Sequence, residues 1–217
     1  MKKLLLAVAF ITSLYGANAQ SQNNGNLNVG VRVGMNVSNI SGDKILDDYK
    51  SKVGFHLGVA ADYKLIESLF LESGLYVTTK GAKYKKDGIK NIYSLTYLQL
   101  PVLATYKYDL GNDLKLHGKV GPYFALGVAA KNKWEDSDSP EDDETIKGFG
   151  KSSDDKEKTG LKRGDIGLML GIGASKGHYY LGLNYELGLT NLCIEEDWGK
   201  DAKAKNRNFT ITLGYNF

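Results

Sequence analysis

Asn208-Phe209-Thr210-Ile211-Thr212-Leu213-Gly214-Tyr215-Asn216-Phe217 alternates apolar and polar residues with a period of two. Successive side chains of a strand point to opposite faces, so Phe209, Ile211, Leu213, Tyr215 and Phe217 share one face, and Asn208, Thr210, Thr212, Gly214 and Asn216 the other. A strand with five large hydrophobes in line and an unpaired edge is an aggregation hazard. It therefore demands partners, and the rest of the chain supplies them.

Seven more segments repeat the pattern. The first runs from Asn26 to Asn36, with Leu27, Val29, Val31, Val33 and Met35 on one face and Arg32 and Asn36 on the other. The next segments place Val53, Phe55, Leu57 and Val59 opposite His56; Leu71, Leu75 and Val77 opposite Glu72; and Leu98, Leu100 and Val102 opposite Gln99 and Pro101. Then come Leu116, Val120, Phe124, Leu126 and Val128 opposite His117 and Lys119; Ile166, Leu168, Leu170 and Ile172 opposite glycines; and Tyr179, Leu181, Leu183 and Tyr185 opposite Asn184 and Glu186. Pro101 has no N–H to donate, so a bulge or a missing ladder bond is expected there.

Eight strands of this length are enough to close, and closure removes every edge. The reading is an all-β, closed eight-stranded antiparallel up-and-down transmembrane β-barrel over residues 26–217. Connections alternate in length, with long external loops at 37–52, 81–91, 131–164 and 190–207 and short turns between the other strands, as membrane barrels do. Aromatics on the apolar face gather at the short-turn end, at Tyr63, Tyr106, Tyr108, Tyr179, Tyr215 and Phe217, where an interfacial girdle is stable. The opposite face carries glycines with Arg32, Glu72, Lys119 and Glu186, a composition suited to a crowded interior. A soluble periplasmic lipocalin-like cup shares the period but not these three features.

Residues 1–19 have the regions of a cleaved signal peptide: Lys2 and Lys3, an apolar run from Leu4 to Tyr15, then Gly16-Ala17-Asn18-Ala19. Residues 20–25 are a short polar leader. Loss of Lys2 and Lys3 would take the formal charge from +3 to +1, which gives no electrostatic case for nucleic acid. The single cysteine, Cys193, has no intramolecular disulfide partner.

The signal peptide, the four hairpins, Tyr97-Leu98-Gln99-Leu100-Pro101 and Tyr185-Glu186-Leu187-Gly188-Leu189-Thr190-Asn191 resemble the outer-membrane β-barrel domain family often labelled "porin family", akin to OmpX and the opacity proteins. The resemblance spans the whole mature chain and departs at Gln99, where family members often carry Glu. It implies a bacterial outer-membrane protein with no catalytic residues and no cofactor, and the porin label does not itself imply a pore. The terminal residues Phe209, Ile211, Leu213, Tyr215 and Phe217 resemble the signal read by the outer-membrane assembly machinery.

An eight-stranded lumen is just wide enough for side chains to fill, so a plug of paired charges from Arg32, Glu72, Lys119 and Glu186 is expected. The role expected is structural, adhesive or surface-interacting, for a monomer whose partners are outer-membrane lipid and lipopolysaccharide and an extracellular partner met through the loops. A narrow passage for ions or small solutes is the alternative. His56 near the outer rim, His117 in the lumen and His178 at a short turn are too dispersed for acid–base catalysis. The carboxylates Asp136, Asp138, Glu141, Asp142, Asp143 and Glu144 read as a solvated loop face rather than a calcium site, lacking the EF-hand glycine.

Overall fold

The computed structural model describes residues 26–42, 50–86, 89–136, 144–152 and 158–217, with the side chains of 85, 86, 89, 90, 135, 136 and 144 left aside. The expected signal peptide and leader, and most of the acidic run 136–144, lie outside the described residues. The elements are β1 (Leu27–Gly42), β2 (Lys50–Lys64), β3 (Leu69–Lys86), β4 (Ile89–Asp109), β5 (Leu114–Asp136), β6 (Glu144–Lys147), β7 (Gly164–Lys176), β8 (Tyr179–Gly188), the short helix α1 (Glu195–Trp198) and β9 (Ala204–Asn216).

Consecutive strands pair antiparallel from β1 to β5, β5 continues to β7, β8 and β9, and β9 returns to β1. The result is a closed eight-stranded antiparallel barrel. At the seam, Gly30 opposes Asn216 and Gly42 opposes Ala204, and below it the Phe217 N–H donates to the Val29 carbonyl at 2.9 Å. β6 stands outside the ring and pairs with the top of β5, from Lys131↔Lys147 to Trp134↔Glu144. Among the described residues no helix is long and apolar enough to cross a membrane.

The alternation resolves as outside-apolar. Val33, Met35, Phe55, Leu57, Leu170, Ile172 and Leu213 are all exposed, whereas Arg32, Glu72, Lys119 and Glu186 are buried inside. The six aromatics of the short-turn end are exposed on the outer wall, and Tyr215 meets both Tyr179 and Phe217 edge-on. The turn after β4 puts Gly111, Asn112 and Asp113 at positive φ, where glycine and the short polar residues are tolerated.

The structure corrects two sequence expectations and decides a third between its two stated outcomes. First, several strands run past the expected loop borders: β1 reaches Gly42 and β2 begins at Lys50, where residues 37–52 read as loop. The polar residues there point inward, and Ser38 Oγ donates to the Gly81 carbonyl at 3.0 Å and accepts from the Gly81 N–H at 2.9 Å. Likewise β3 and β4 occupy most of 81–91, β5 and β6 take the first part of 131–164, and α1 with the start of β9 fall within 190–207. Second, of the bulge or missing ladder bond expected at Pro101, the structure has the gap in the ladder and no bulge. The β3–β4 register is the same on both sides of it, but the ladder pairs Ser73↔Val102 and Tyr76↔Gln99 leave Gly74 and Leu75 unmatched on that side. The register shift of the β4–β5 ladder comes instead at Thr96/Tyr97, opposite Ala129 and Gly127, so Val128 is the extra residue. Third, His56 is a buried lumen residue, not a rim residue.

Glycine permits the close approach of β4 and β5 at Gly121. A Cβ on Gly121 would lie 2.9 Å from Leu103 Cα, while one on lipid-facing Gly118 meets nothing within 4 Å. Gly121→Ala should therefore destabilise the barrel by about 1–3 kcal/mol through strand separation, and Gly118→Ala should be neutral. Urea titration of the two variants in lipid vesicles checks this contrast.

Candidate functional site

The inward faces of the strands fill the barrel in tiers. Nearest the short turns, Lys107 Nζ donates to Asp62 at 2.5 Å and lies 4.2 Å from the Phe70 ring centroid. His117 Nε2 and Ser175 Oγ are 2.9 Å apart. Arg32 donates to Asn216 Oδ1 at 2.7 Å and lies over the Tyr180 ring. Gly214 makes room for it, since a Cβ there would be 2.6 Å from Arg32 Cδ.

In the middle tier Lys119 Nζ donates to both oxygens of Glu72 at 2.7 Å. Both groups are almost fully buried, and Lys119 also lies over Tyr180 at 4.8 Å. His56 contacts Asn36 Oδ1 at 2.6 Å and Thr212 Oγ1 at 3.0 Å, and Asn36 donates to Thr78. Between this tier and the next a cavity of about 40 Å³ remains, lined in part by Gln99, Tyr180, Asn184 and Glu186. Such a space holds roughly three water molecules.

The upper tier turns on Lys80. Its ammonium lies 2.8 Å from Glu186 Oε2 and 3.7 Å from Asp165 Oδ2 with no exposed side-chain area. The ion pair with Glu186 and the faces of Tyr123 and Tyr97, at 4.4 and 5.6 Å, hold it. Glu186 accepts from Gln99 at 2.9 Å and Asn208 at 3.1 Å, and Asp165 accepts from Tyr123 and Asn206. A neutral amide at Gln99 thus serves as donor to a carboxylate that a Glu there would repel.

The four charges singled out in the sequence do not form one network. Lys119 and Glu72 are together, Glu186 lies with Lys80, and Arg32 is held by Asn216 and Tyr180, with no carboxylate at ion-pair distance among the described residues. Lys80 and Asp165 are the buried lumen charges that the sequence reading left out. Extending the alternation Glu72, Gly74, Tyr76, Thr78 by one step places Lys80 inside, a signal masked by its position beside an apparent loop.

Above the charges sits an apolar stopper. Phe149, Leu161, Leu192 and Cys193, from the two connections that flank β7 and β8, are each at most 3 % exposed. They pack with Ile40, Tyr93, Leu95 and Tyr97 in one cluster, and Phe149 meets the Tyr97 ring at 5.8 Å. The bridge Gly150↔Leu161 folds the first connection on itself, and Leu161↔Cys193 ties it to the second. Ser152 seals their outer side by donating its hydroxyl to Asp197 Oδ1 at 2.7 Å and its N–H to Oδ2 at 2.9 Å. At the rim Lys151 pairs with Glu196 and holds its carboxyl below the usual range. The expected solvated loop is therefore, over its described residues, a folded lid.

His117 has a serine partner, but its Nδ1 is buried with no hydrogen-bond partner, so nothing orients it as a triad base. His178 Nδ1 contacts the Asn216 carbonyl at 2.8 Å. Among the described residues no group of three or more His, Cys, Asp or Glu is placed to hold a metal.

A family model described as outer membrane protein beta-barrel domain matches residues 18–193. The chain belongs to this family. It is a bacterial outer-membrane barrel. Solved structures similar to it include Ail, the attachment invasion locus protein of Yersinia pestis, at 15% identity, covering 88% of this chain and 99% of that one with a TM-score of 0.44. Neisserial surface protein A is 16% identical, with 87% and 97% covered and a TM-score of 0.47. OprG from Pseudomonas aeruginosa is 13% identical, with 90% and 98% covered and a TM-score of 0.45. No curated protein matches the chain.

Removing one partner of a buried ion pair strands the other, at a cost of about 3–5 kcal/mol. Lys80→Met, which leaves both Glu186 and Asp165 uncompensated, should lower barrel stability by that order. Lys80→Met combined with Glu186→Gln should recover part of it, as read from urea midpoints of the assembled protein.

Proposed function

We propose that this outer-membrane barrel is closed to solutes and acts at its extracellular surface, in a structural, adhesive or surface-interaction role. The observation that carries the reading is the stopper of Phe149, Leu161, Leu192 and Cys193 over a lumen whose central cavity is about 40 Å³. A hydrated ion crossing the barrel would have to displace the apolar cluster and then pass three tiers of paired charges. The wider space, about 290 Å³ at the short-turn mouth, is lined by Lys64, Lys107, Lys115 and His117. It is a vestibule at the lowest tier, where Lys107 pairs with Asp62.

In this reading the lumen charges Arg32, Glu72, Lys119 and Glu186 are structural and no residue is catalytic. The barrel works as a monomer, and its partners are outer-leaflet lipid and an extracellular ligand met by the folded lid. Planar bilayer recording tests the closed lumen. The protein should give no steady single-channel steps, and reproducible stepwise conductance from homogeneous protein would overturn the reading.

The outward residues Phe209, Ile211, Leu213, Tyr215 and Phe217 of the closing strand are proposed as the surface read by the assembly machinery. They are exposed along one face of β9 and beyond it. Deletion of Phe217 should reduce the heat-modifiable, assembled fraction in cells severalfold while the same variant, refolded in detergent, keeps a near-normal unfolding midpoint. Equal loss in both settings would make Phe217 a girdle residue only.

A further inference from the structure

The two ends of the outer wall are built differently. At the short-turn end the apolar band finishes in tyrosines, among them Tyr63, Tyr106, Tyr108 and Tyr179. At the loop end, on β2, β3 and β5, it finishes in lysine. On β5 the exposed run Leu116, Val120, Phe124, Leu126, Val128 is followed by exposed Lys131. With a rise of ~3.3 Å per residue and a strand tilt of ~40°, Leu116 to Val128 spans about 30 Å along the barrel axis. That equals the hydrocarbon core of a bilayer, so Lys131 stands at headgroup level. On β3, exposed Leu71 and Val77 precede exposed Lys83, and on β2 exposed Lys50 lies beyond Val53, Phe55 and Leu57.

The ladder register then opposes these cations. Lys50 is directly across from Lys83, and Lys131 from Lys147 on β6. Like charges directly opposite each other destabilise a sheet, and among the described residues no carboxylate forms an ion pair with any of the four. Only β4 separates β3 from β5, and Lys83 and Lys131 oppose Ile92 and Ser94 on it, so these nearest members of the two pairs lie about 12 Å apart on one side of the barrel.

We infer that Lys50–Lys83 and Lys131–Lys147 form a docking surface for lipid-borne phosphate of the outer leaflet. A phosphate placed between two opposed ammoniums turns their repulsion into two charge-assisted hydrogen bonds. The apolar band beneath receives the acyl chains of the same lipid, which a soluble anion would leave bare. This rests on the outer-membrane placement of the barrel and not on the closed lumen, so a conducting lumen would leave it standing.

The test titrates the full assembled chain in neutral detergent with phosphatidic acid or phosphatidylcholine in mixed micelles. Wild type should prefer phosphatidic acid, and the preference should fall as salt rises. At about fivefold per ammonium near an anionic surface, Lys131→Gln with Lys147→Gln should weaken phosphatidic acid binding about 25-fold. Adding Lys50→Gln and Lys83→Gln should abolish the preference, and arginine at all four positions should retain it. Equal binding of the two lipids, or unchanged binding by the quadruple Gln variant, overturns the proposal. Displacement by inorganic phosphate at concentrations equal to the lipid would assign the lysines to a free anion and overturn the lipid docking. If the Gln variants do not assemble, the wild-type lipid preference and its salt dependence decide the outcome.

Discussion

Inside a bilayer every backbone N–H and C=O must find a partner within the protein, because hydrocarbon offers none. This one constraint explains the architecture. An open sheet of these eight strands would leave the edges of β1 and β9 unpaired in lipid, so the first and last strands must meet. Once they meet, each residue faces either lipid or a narrow lumen, and the period-two pattern divides the chain into an apolar skin and a polar interior. The interior then faces its own problem, since charges taken from water need compensation. Lys119 with Glu72, and Lys80 with Glu186 and Asp165, supply it, while the tyrosines beside them offer ring faces to the cations.

The alternation made the wall legible from the sequence. Phe209 to Phe217, Leu27 to Met35 and Leu116 to Val128 have a clean skin face, and their facing in the fold follows directly. The upper parts of the strands were not legible, for a physical reason. Ser38, Asn91, Asn132 and Asn206 are polar because they line the lumen, yet a polar run is also what a loop looks like. Composition alone cannot separate an inward strand face from solvent exposure where the outer face also turns polar above the membrane.

The lid escaped for the opposite reason. Phe149 and Leu161 are isolated apolar residues in a charged stretch, and Leu192-Cys193-Ile194 is too short to show any period. Their burial depends on being brought together by chain segments more than thirty positions apart, a tertiary fact with no local signature. The charge partners were half legible. Glu72 and Lys119 sit on clean inward positions, whereas the pairing of Glu186 with Lys80 depends on which strands lie across the lumen from each other, and strand order along the chain does not reveal that.

Arg32 and Asn216 give the seam a kinetic meaning. Their hydrogen bond joins residues separated by 184 positions, the longest separation among the side-chain hydrogen bonds described. The hairpins between neighbouring strands close short loops and can form early, but this contact must wait for nearly the whole chain to be in place. Closure is therefore the slowest-growing part of the barrel, and until it occurs two edges remain open to other chains. Arg32 works as a latch: it reaches across the last gap to grip Asn216 and, once shut, fixes the circumference from within.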